Sequence, residues 1–312
     1  MALDVCVVGE INPDLILYGL PKQLKPEEET LVDGFRLTLG SSSAIFAHNL
    51  AVLGTRVGLV SKIGSDALGK MSLDWLSSGG VDLSHVLRAS NGTATGLSVI
   101  LNQPEHRFIL TYPGTMFELK FSDLDLDFIF SARHFHVSSY FLHRALRPKM
   151  AELFRLAKAR GLSTSLDTND DPEGKWGDDL LEVLPFVDIL FPNEREAKKI
   201  AGTDDLNLAI KKLSESCKFV VVKLGAAGAV VRKGHEEWRR SGMRVESKDP
   251  VGAGDSFDAG FIHRFLQGAS PEDCLEYGDL AGAFSTTHEG GTEAFRDRDA
   301  VERFFRKHLR VS

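Results

Sequence analysis

The sequence predicts a doubly wound α/β fold: a mostly parallel sheet, helices on both faces, and a small inserted β lid. Three observations carry that expectation. Short apolar runs alternate with helical patterns from end to end, as successive βαβ units require. Two segments break this alternation: 11–38 is a Pro- and Glu-rich stretch before any helix, and 93–112 reads as two strands joined by a turn. No internal repeat, low-complexity tract or linker divides the 312 residues, so the expected organisation is one α/β domain over 1–312 with a lid drawn from those two segments.

Residues 5–9 form a short apolar run suited to a buried strand. A helix is expected over 42–53, with Ala44, Phe46, Ala47, Leu50 and Ala51 on one side and Gly54 as its stop. A strand over 57–63 and a helix over 67–76, closed by Gly79-Gly80, follow. Residues 94–101 and 107–112 read as two strands joined by a turn at 102–105. Further strands are expected at 134–137, 163–167, 189–191 and 219–223, with helices near 147–160, 178–184 and 194–201 between them. Ligands of such sheets bind beyond the carboxyl ends of the strands, which places Asp14, Asp167, Asn193 and the 252–255 turn on one rim.

Composition is that of an ordinary globule, 43% hydrophobic and 26% charged. A formal charge of −7 argues against sequence-independent nucleic-acid binding, which relies on Lys and Arg neutralising phosphates. No apolar run reaches the roughly 18 to 20 residues that cross a bilayer, and no signal peptide is apparent, so no membrane partner and a cytoplasmic location are expected. Of the three cysteines, Cys6 is placed in a strand and Cys217 and Cys274 on helices, without metal-ligand spacing. His134 and His136 alternate on one strand, but no third ligand accompanies them, so metal binding is not expected there.

The chemistry concentrates in residues 249–260, Asp-Pro-Val-Gly-Ala-Gly-Asp-Ser-Phe-Asp-Ala-Gly. Gly252, Ala253 and Gly254 leave their N–H groups unobstructed, and Phe257, Phe261, Ile262, Phe265 and Leu266 mark the buried face of the helix that follows. Unpaired N–H groups and the positive end of a helix dipole together make an anion site. A carboxylate there opposes a bound anion, so Asp255 either caps the helix or accepts a proton from a hydroxyl while the N–H groups hold a transferring phosphoryl group. The second layout is that of a small-molecule kinase. Dinucleotide and P-loop fingerprints are excluded: Phe257 stands where the first needs glycine, and Gly-Lys-Ser/Thr is absent.

The stretch from Asp249 to Ile262 resembles the C-terminal signature of the ribokinase (PfkB) family of carbohydrate kinases. Other pieces follow in the order of that family: Asn12-Pro-Asp14 after the first strand, Gly40-Ser41 before a helix, Asn193-Glu-Arg-Glu196, and Lys223-Leu-Gly225-Ala-Ala-Gly228. The resemblance implies a ribokinase-like fold and ATP-dependent transfer of the γ-phosphoryl group to a sugar hydroxyl, most simply a primary one, with magnesium. It implies Asp255 as base and the 252–254 backbone as anion hole. Asn12, Asp14, Gly40, Ser41 and Arg107 fall on the sugar side; Asn193, Lys223, Gly225, Gly228 and Asp279 fall on the nucleotide side. Asn193 and Glu196 suit magnesium held through water, or a capped helix start. Asp249 with 287–292 is similar to a potassium loop. A homodimer through the lid is also implied. Ile45, Lys223 and Asp279 depart from residues common in the family. A nucleoside kinase of the same family, and a non-catalytic sugar or nucleotide sensor on this fold, are the alternatives.

Overall fold

The computed structural model describes residues 3–103 and 107–309. The chain opens with strands β1 (Val5–Val8), β2 (Pro13–Tyr18) and β3 (Gly34–Leu39), then α1 (Ser42–Val52), β4 (Val57–Ile63), α2 (Ala67–Gly79) and β5 (Val86–Arg88). A hairpin pair, β6 (Leu97–Asn102) and β7 (Arg107–Tyr112), precedes α3 (Leu126–Phe130) and β8 (His134–Val137). Next come α4 (Met150–Ala159), β9 (Ser163–Leu166), α5 (Asp178–Val183), β10 (Ile189–Leu190), α6 (Glu194–Ala201), α7 (Leu206–Leu213) and β11 (Phe219–Lys223). Strands β12 (Ala229–Lys233) and β13 (Glu236–Arg240) and helices α8 (Ala253–Leu266), α9 (Pro271–Ser285) and α10 (Arg298–His308) complete it.

The main sheet has nine strands in the order β13-β12-β11-β10-β9-β8-β1-β4-β5. It is parallel from β5 to β11, and the β11–β12–β13 edge is antiparallel. Strand β1 shows why both faces are covered: Val5 and Val7 enter one core with Phe46, Leu50, Phe191 and Phe261, while Cys6 and Val8 enter the other with Phe135, Phe154 and Leu166. A continuously apolar strand with period-2 geometry must bury both sides.

The lid is a second sheet in the order β3-β2-β6-β7. Its outer pairs are antiparallel, but β2 and β6 run parallel, which a simple hairpin reading does not predict. Tyr18 of β2 donates to Asp249 at 3.0 Å, Thr38 of β3 donates to Glu293 at 2.6 Å, and Ile16 and Ile100 pack on Val251. The lid is thereby fastened to the segment that carries the glycine turn.

Several expectations need correction. Asp14, expected just beyond the first strand, lies inside lid strand β2, opposite Thr38 and Ser98; Pro13 is tolerated because it is the first residue of the strand. Cys217 precedes β11 in a loop and is not helical. Strands β5, β12 and β13 and helix α7 were not anticipated. The turn expected at 102–105 falls partly on residues outside those described. Among the described residues no helix is long and apolar enough to cross a membrane.

Candidate active site

The glycine turn forms at the start of α8. Gly252 sits in the left-handed region (φ 73°), and a Cβ there would lie 2.5 Å from the Gly291 backbone, so only glycine closes this turn. Ser256 N–H returns to the Gly252 carbonyl at 2.9 Å, starting the helix without a side-chain cap. The free donors differ from the expected set. Ala253 N–H is taken by the Pro250 carbonyl at 3.2 Å, whereas the N–H groups of Gly252, Gly254 and Asp255 have no acceptor among the described residues. Those three donors lie together at a helix N-terminus, a cradle of the kind that suits an anion.

Asp255 projects from the same turn. Burial and the nearby Asp167 carboxylate push its carboxyl up to about 7, while Lys223 and the Ser42 hydroxyl pull the other way. Lys223 reaches the cradle from beneath. Its Nζ lies 2.6 Å from Asp167 Oδ2 and 3.0 Å from Asp258 Oδ2, and a Cβ on Gly254 would be 3.5 Å from it. Burial alone would lower its pKa, but the surrounding carboxylates hold the ammonium charged. Asp258 is raised well above the usual carboxylate range by burial and by the nearby Asp167 carboxylate, against the pull of Lys223. This buried group sits one helical step (i, i+3) from Asp255.

The residues expected on the sugar side lie within electrostatic reach of Asp255, which acts on Asp14. Asn12 Nδ2 donates to Asp14 Oδ1 at 3.3 Å, and Asp14 lies against Gly40, where a Cβ would meet Oδ1 at 2.1 Å. Burial, then repulsion from Asp255, push Asp14 up to about 7. Asp255 feels the Asp167 carboxylate as well. Ser41 also has positive φ (68°); its hydroxyl caps α1 through Ala44 N–H and bonds Glu10 at 2.9 Å. Burial alone would raise Glu10, but His143 and Ser43 hold it at about 2. Arg107 opens β7 at the lid rim, its charge acting on Asp14, and it has no ion pair among the described residues. Ile45, a departure from the resembled pattern, packs on Gly291 beneath the turn.

Of the residues expected on the nucleotide side, Gly225 and Gly228 shape the turn between β11 and β12, with Gly228 N–H 3.0 Å from the Gly225 carbonyl. Asp279 accepts from Met243 N–H at 2.9 Å and so pins the segment after β13. Asn193 and Glu196 close a reciprocal capping box at α6: Asn193 Oδ1 accepts from Glu196 N–H, and Glu196 Oε2 from Asn193 N–H, both at 2.9 Å. Glu196 is raised to about 7 by burial and by Asp167. Asp249 accepts from Tyr18, Val251 N–H and Gly290 N–H, joining lid, turn and the 287–292 loop, where Thr292 Oγ1 is buried without a partner. Among the described residues no group of three or more His, Cys, Asp or Glu side chains is arranged to hold a metal. His134 and His136 are instead bonded to Ser163, Ser165 and Ser138, and burial keeps both neutral.

A profile of the pfkB family carbohydrate kinases matches residues 2–298. The chain belongs to this family. A 2-dehydro-3-deoxygluconokinase of Bacillus subtilis is 29% identical over 88% of each chain. An ATP-dependent ribose-1-phosphate kinase of Halopiger xanaduensis is 30% identical, covering 96% of this chain and 97% of its own. An E. coli structure provisionally called Ribokinase II, in complex with ATP and Mg2+, superposes with a TM-score of 0.86 at 25% identity, covering 98% and 100%. The protein is therefore a PfkB carbohydrate kinase with a ribokinase-like fold.

Four residues at this kinase's site escaped the sequence reading. Glu10, His143, Asn169 and Asp258 come from separate segments and meet only through the fold. Asp258 had a signal, its i+3 spacing from Asp255. Asn169 had a weaker one, its place two residues after Asp167 at the end of β9.

Proposed function

We propose that this carbohydrate kinase transfers the γ-phosphoryl group of ATP to a sugar hydroxyl, most simply a primary one, with Asp255 as the general base. The observation that carries the reading is the pairing, in one helical turn, of three unengaged N–H donors with a carboxyl raised to about 7. A base whose pKa lies near working pH combines availability with driving force. The Asp255 carboxylate takes the hydroxyl proton as the sugar oxygen bonds to the γ-phosphorus. The bond from that phosphorus to the β,γ-bridging oxygen breaks, and ADP leaves. The cradle N–H groups oppose charge on the phosphoryl oxygens, where preorganised donors lower the barrier most. Asn12 and Asp14 engage the sugar hydroxyls, beside backbone brought close at Gly40 and Ser41.

Glu196, a buried carboxylate with no cation bonded to it among the described residues, fits a magnesium ion held through its waters, which would neutralise phosphate charge. Asn193 orients it. The unpartnered Thr292 hydroxyl beside Asp249 fits a potassium ion in the 287–292 loop. Lys223, Gly225, Gly228 and Asp279 border the nucleotide. The two sheets act as one domain, β2, β3, β6 and β7 closing over the sugar. Strand β7 is exposed along its whole length, and with Phe35 at 70% and Leu110 at 57% exposure, this face suits a second copy of the chain. Three free thiols and the need for ATP support a cytoplasmic location.

The experiment is an ADP-release assay over a panel of sugars and nucleosides, with and without potassium. Sugar-dependent ADP release supports the reading; a chain that binds ATP and sugar without turnover contradicts it.

A further inference from the structure

A second concave site shares no residue with the one described above and lies between α1, α2 and the segment leading into α10. It is a cavity of about 170 Å³ whose wall includes His48, Trp75, Gly79, Arg296 and Arg298. That is smaller than the ~300–1,000 Å³ of sites that enclose whole drug-sized ligands, so it admits a small head group and not a nucleotide. Two cations dominate it. Arg296 lies 5.7 Å over the Trp75 ring and pairs with Glu293 at 2.9 Å, and Arg298 donates to the Gly79 carbonyl at 3.0 Å. A guanidinium has five N–H donors, and each of these has that single polar partner among the described residues. The neighbouring Asp297 is engaged elsewhere, by Ala300 N–H and Arg303.

The third group is His48, and its tautomer follows from its neighbours. The Gly291 carbonyl can only accept, so Asn49 must turn its Nδ2 to it and to Ser256 Oγ, both at 2.9 Å. Asn49 Oδ1 then faces His48 Nδ1 at 2.8 Å, and Nδ1 is the ring nitrogen that carries the proton. Nε2 is left as a bare acceptor. It sits on the Gly79 side of the ring, where a Cβ would come within 3.0 Å, and it has no partner among the described residues although His48 is only 2% exposed. Burial, reinforced by the charges of Arg296 and Arg298, holds the ring neutral, with its pKa down to about 4. The cavity thus combines cationic donors with one acceptor that asks for a proton. Sulfate and carboxylates bring oxygens without a proton. A phosphate group, whose second pKa is about 6, brings both near neutral pH.

We infer that this cavity is a second ligand site, specific for a monoprotonated phosphate group, free or esterified, and that its occupant braces the glycine turn. Arg296 and Arg298 take the anionic oxygens, and His48 Nε2 accepts the P–OH proton. The same hydrogen bonds lead on to the turn. Asn49 holds Ser256 and Gly291; Ser256 Oγ donates to the Gly252 carbonyl at 2.7 Å, and Gly291 packs on Gly252. A proton donated to Nε2 polarises the ring and strengthens the Nδ1–H bond to Asn49 and those beyond it. Glu293 adds a second link, since it accepts from Thr38 of the lid at 2.6 Å as well as pairing with Arg296. The site stands independently of the kinase reading; only its coupling to ATP rests on that reading.

The test is calorimetry on the full chain, with inorganic phosphate, glycerol 3-phosphate and sulfate as probes at constant ionic strength, and with a non-hydrolysable ATP analogue and Mg2+ occupying the glycine turn. Both phosphates should bind at least about 10-fold more tightly than sulfate, the scale set by a buried acceptor left unpaired. Tighter binding of glycerol 3-phosphate than of inorganic phosphate assigns the site to an organic ester, and the reverse order to the free ion. Arg298→Gln should weaken phosphate binding about 10- to 100-fold, with Tm and the affinity for the analogue alone unchanged. His48→Gln puts an amide that can donate near the place of Nε2, so the preference over sulfate should vanish. Absent binding, equal binding of sulfate, or a phosphate affinity untouched by Arg298→Gln overturns the site. The coupling is read separately: saturating glycerol 3-phosphate should tighten the analogue at least about 5-fold in the wild type and not in Ser256→Ala. An analogue affinity unchanged by the probe overturns the bracing. Failure of the kinase reading shows differently, as no ADP release from any sugar, and leaves the phosphate titrations decided by Arg298→Gln.

Discussion

Replacing Lys223 by methionine isolates the buried ion network beneath the anion cradle. The Lys223 side chain is 13% exposed and that of Asp167 only 4%, with Nζ to Oδ2 at 2.6 Å. At an effective dielectric near 20, unit charges at that separation attract by roughly 6 kcal/mol. Much of this is offset by the cost of taking both ions from water, so the pair itself contributes little net stability. Breaking it is another matter. Methionine leaves Asp167 dehydrated and without a cation, and a loss of about 3–5 kcal/mol is expected. At about 2 °C per kcal/mol for a chain of this size, Tm should fall by about 6–10 °C. Urea unfolding at constant m-value gives the free energy directly. Adding Asp167→Asn removes the stranded charge and should recover most of the loss. Lys223→Met alone should raise the pKa of Asp255, since Lys223 now lowers it, and shift activity toward alkaline pH. A single-variant loss below about 1 kcal/mol, the range of exposed pairs, would refute the reasoning.

Asp14→Ala removes a carboxylate that accepts charge-assisted hydrogen bonds, so sugar affinity should weaken by about 1.5–3 kcal/mol with ATP affinity little changed; calorimetry with each ligand separates the two. The pH profile of kcat/KM should rise through about pH 7 and level off above it, because Asp255 acts only when ionised and its carboxyl is raised to about 7; a rise complete by pH 5 contradicts this. Raised carboxyl pKa values also mean that Asp14 and Asp255 favour the fold most at acid pH and lose that contribution as pH climbs from about 4 to about 7. Asp255→Asn should therefore melt above wild type at pH 8, with the gap closing below pH 5, as scanning calorimetry at both pH values would show. Ile109→Glu, on the exposed β7 strand, should yield monomers by analytical ultracentrifugation if that face joins two copies, and leave the sedimentation of the wild type unchanged if it does not.

What the sequence made legible follows from local physics. The βαβ alternation and the turn at 252–255 depend on short-range patterns, and both stand in the fold. Asn12-Pro13-Asp14 carries turn chemistry, yet pairing of β2 with both β3 and β6 makes Asp14 a strand residue aimed at the site; tertiary hydrogen bonds outweigh local preference. Strands β12 and β13 were missed because charged and exposed positions interrupt their apolar pattern. Lys223 reads from sequence as a nucleotide-side residue, and only the fold shows it bound to Asp167, 56 positions earlier, and Asp258, 35 later. Ala253 illustrates a finer limit. Composition shows an open N–H, but the Pro250 carbonyl takes it, and the free donor moves to Asp255.

The central claim is that Asp255 removes the hydroxyl proton, and the turnover number of Asp255→Asn tests it most directly. Asparagine keeps the size and hydrogen-bonding reach of the side chain and lacks the basic oxygen. The account predicts a fall in kcat of about 10²–10⁴ with ATP affinity kept or slightly improved, since a negative charge beside the γ-phosphate is gone. A side chain that merely supported the helix start would behave otherwise, because asparagine serves there about as well as aspartate. Turnover near that of wild type with the best substrate would contradict the mechanism.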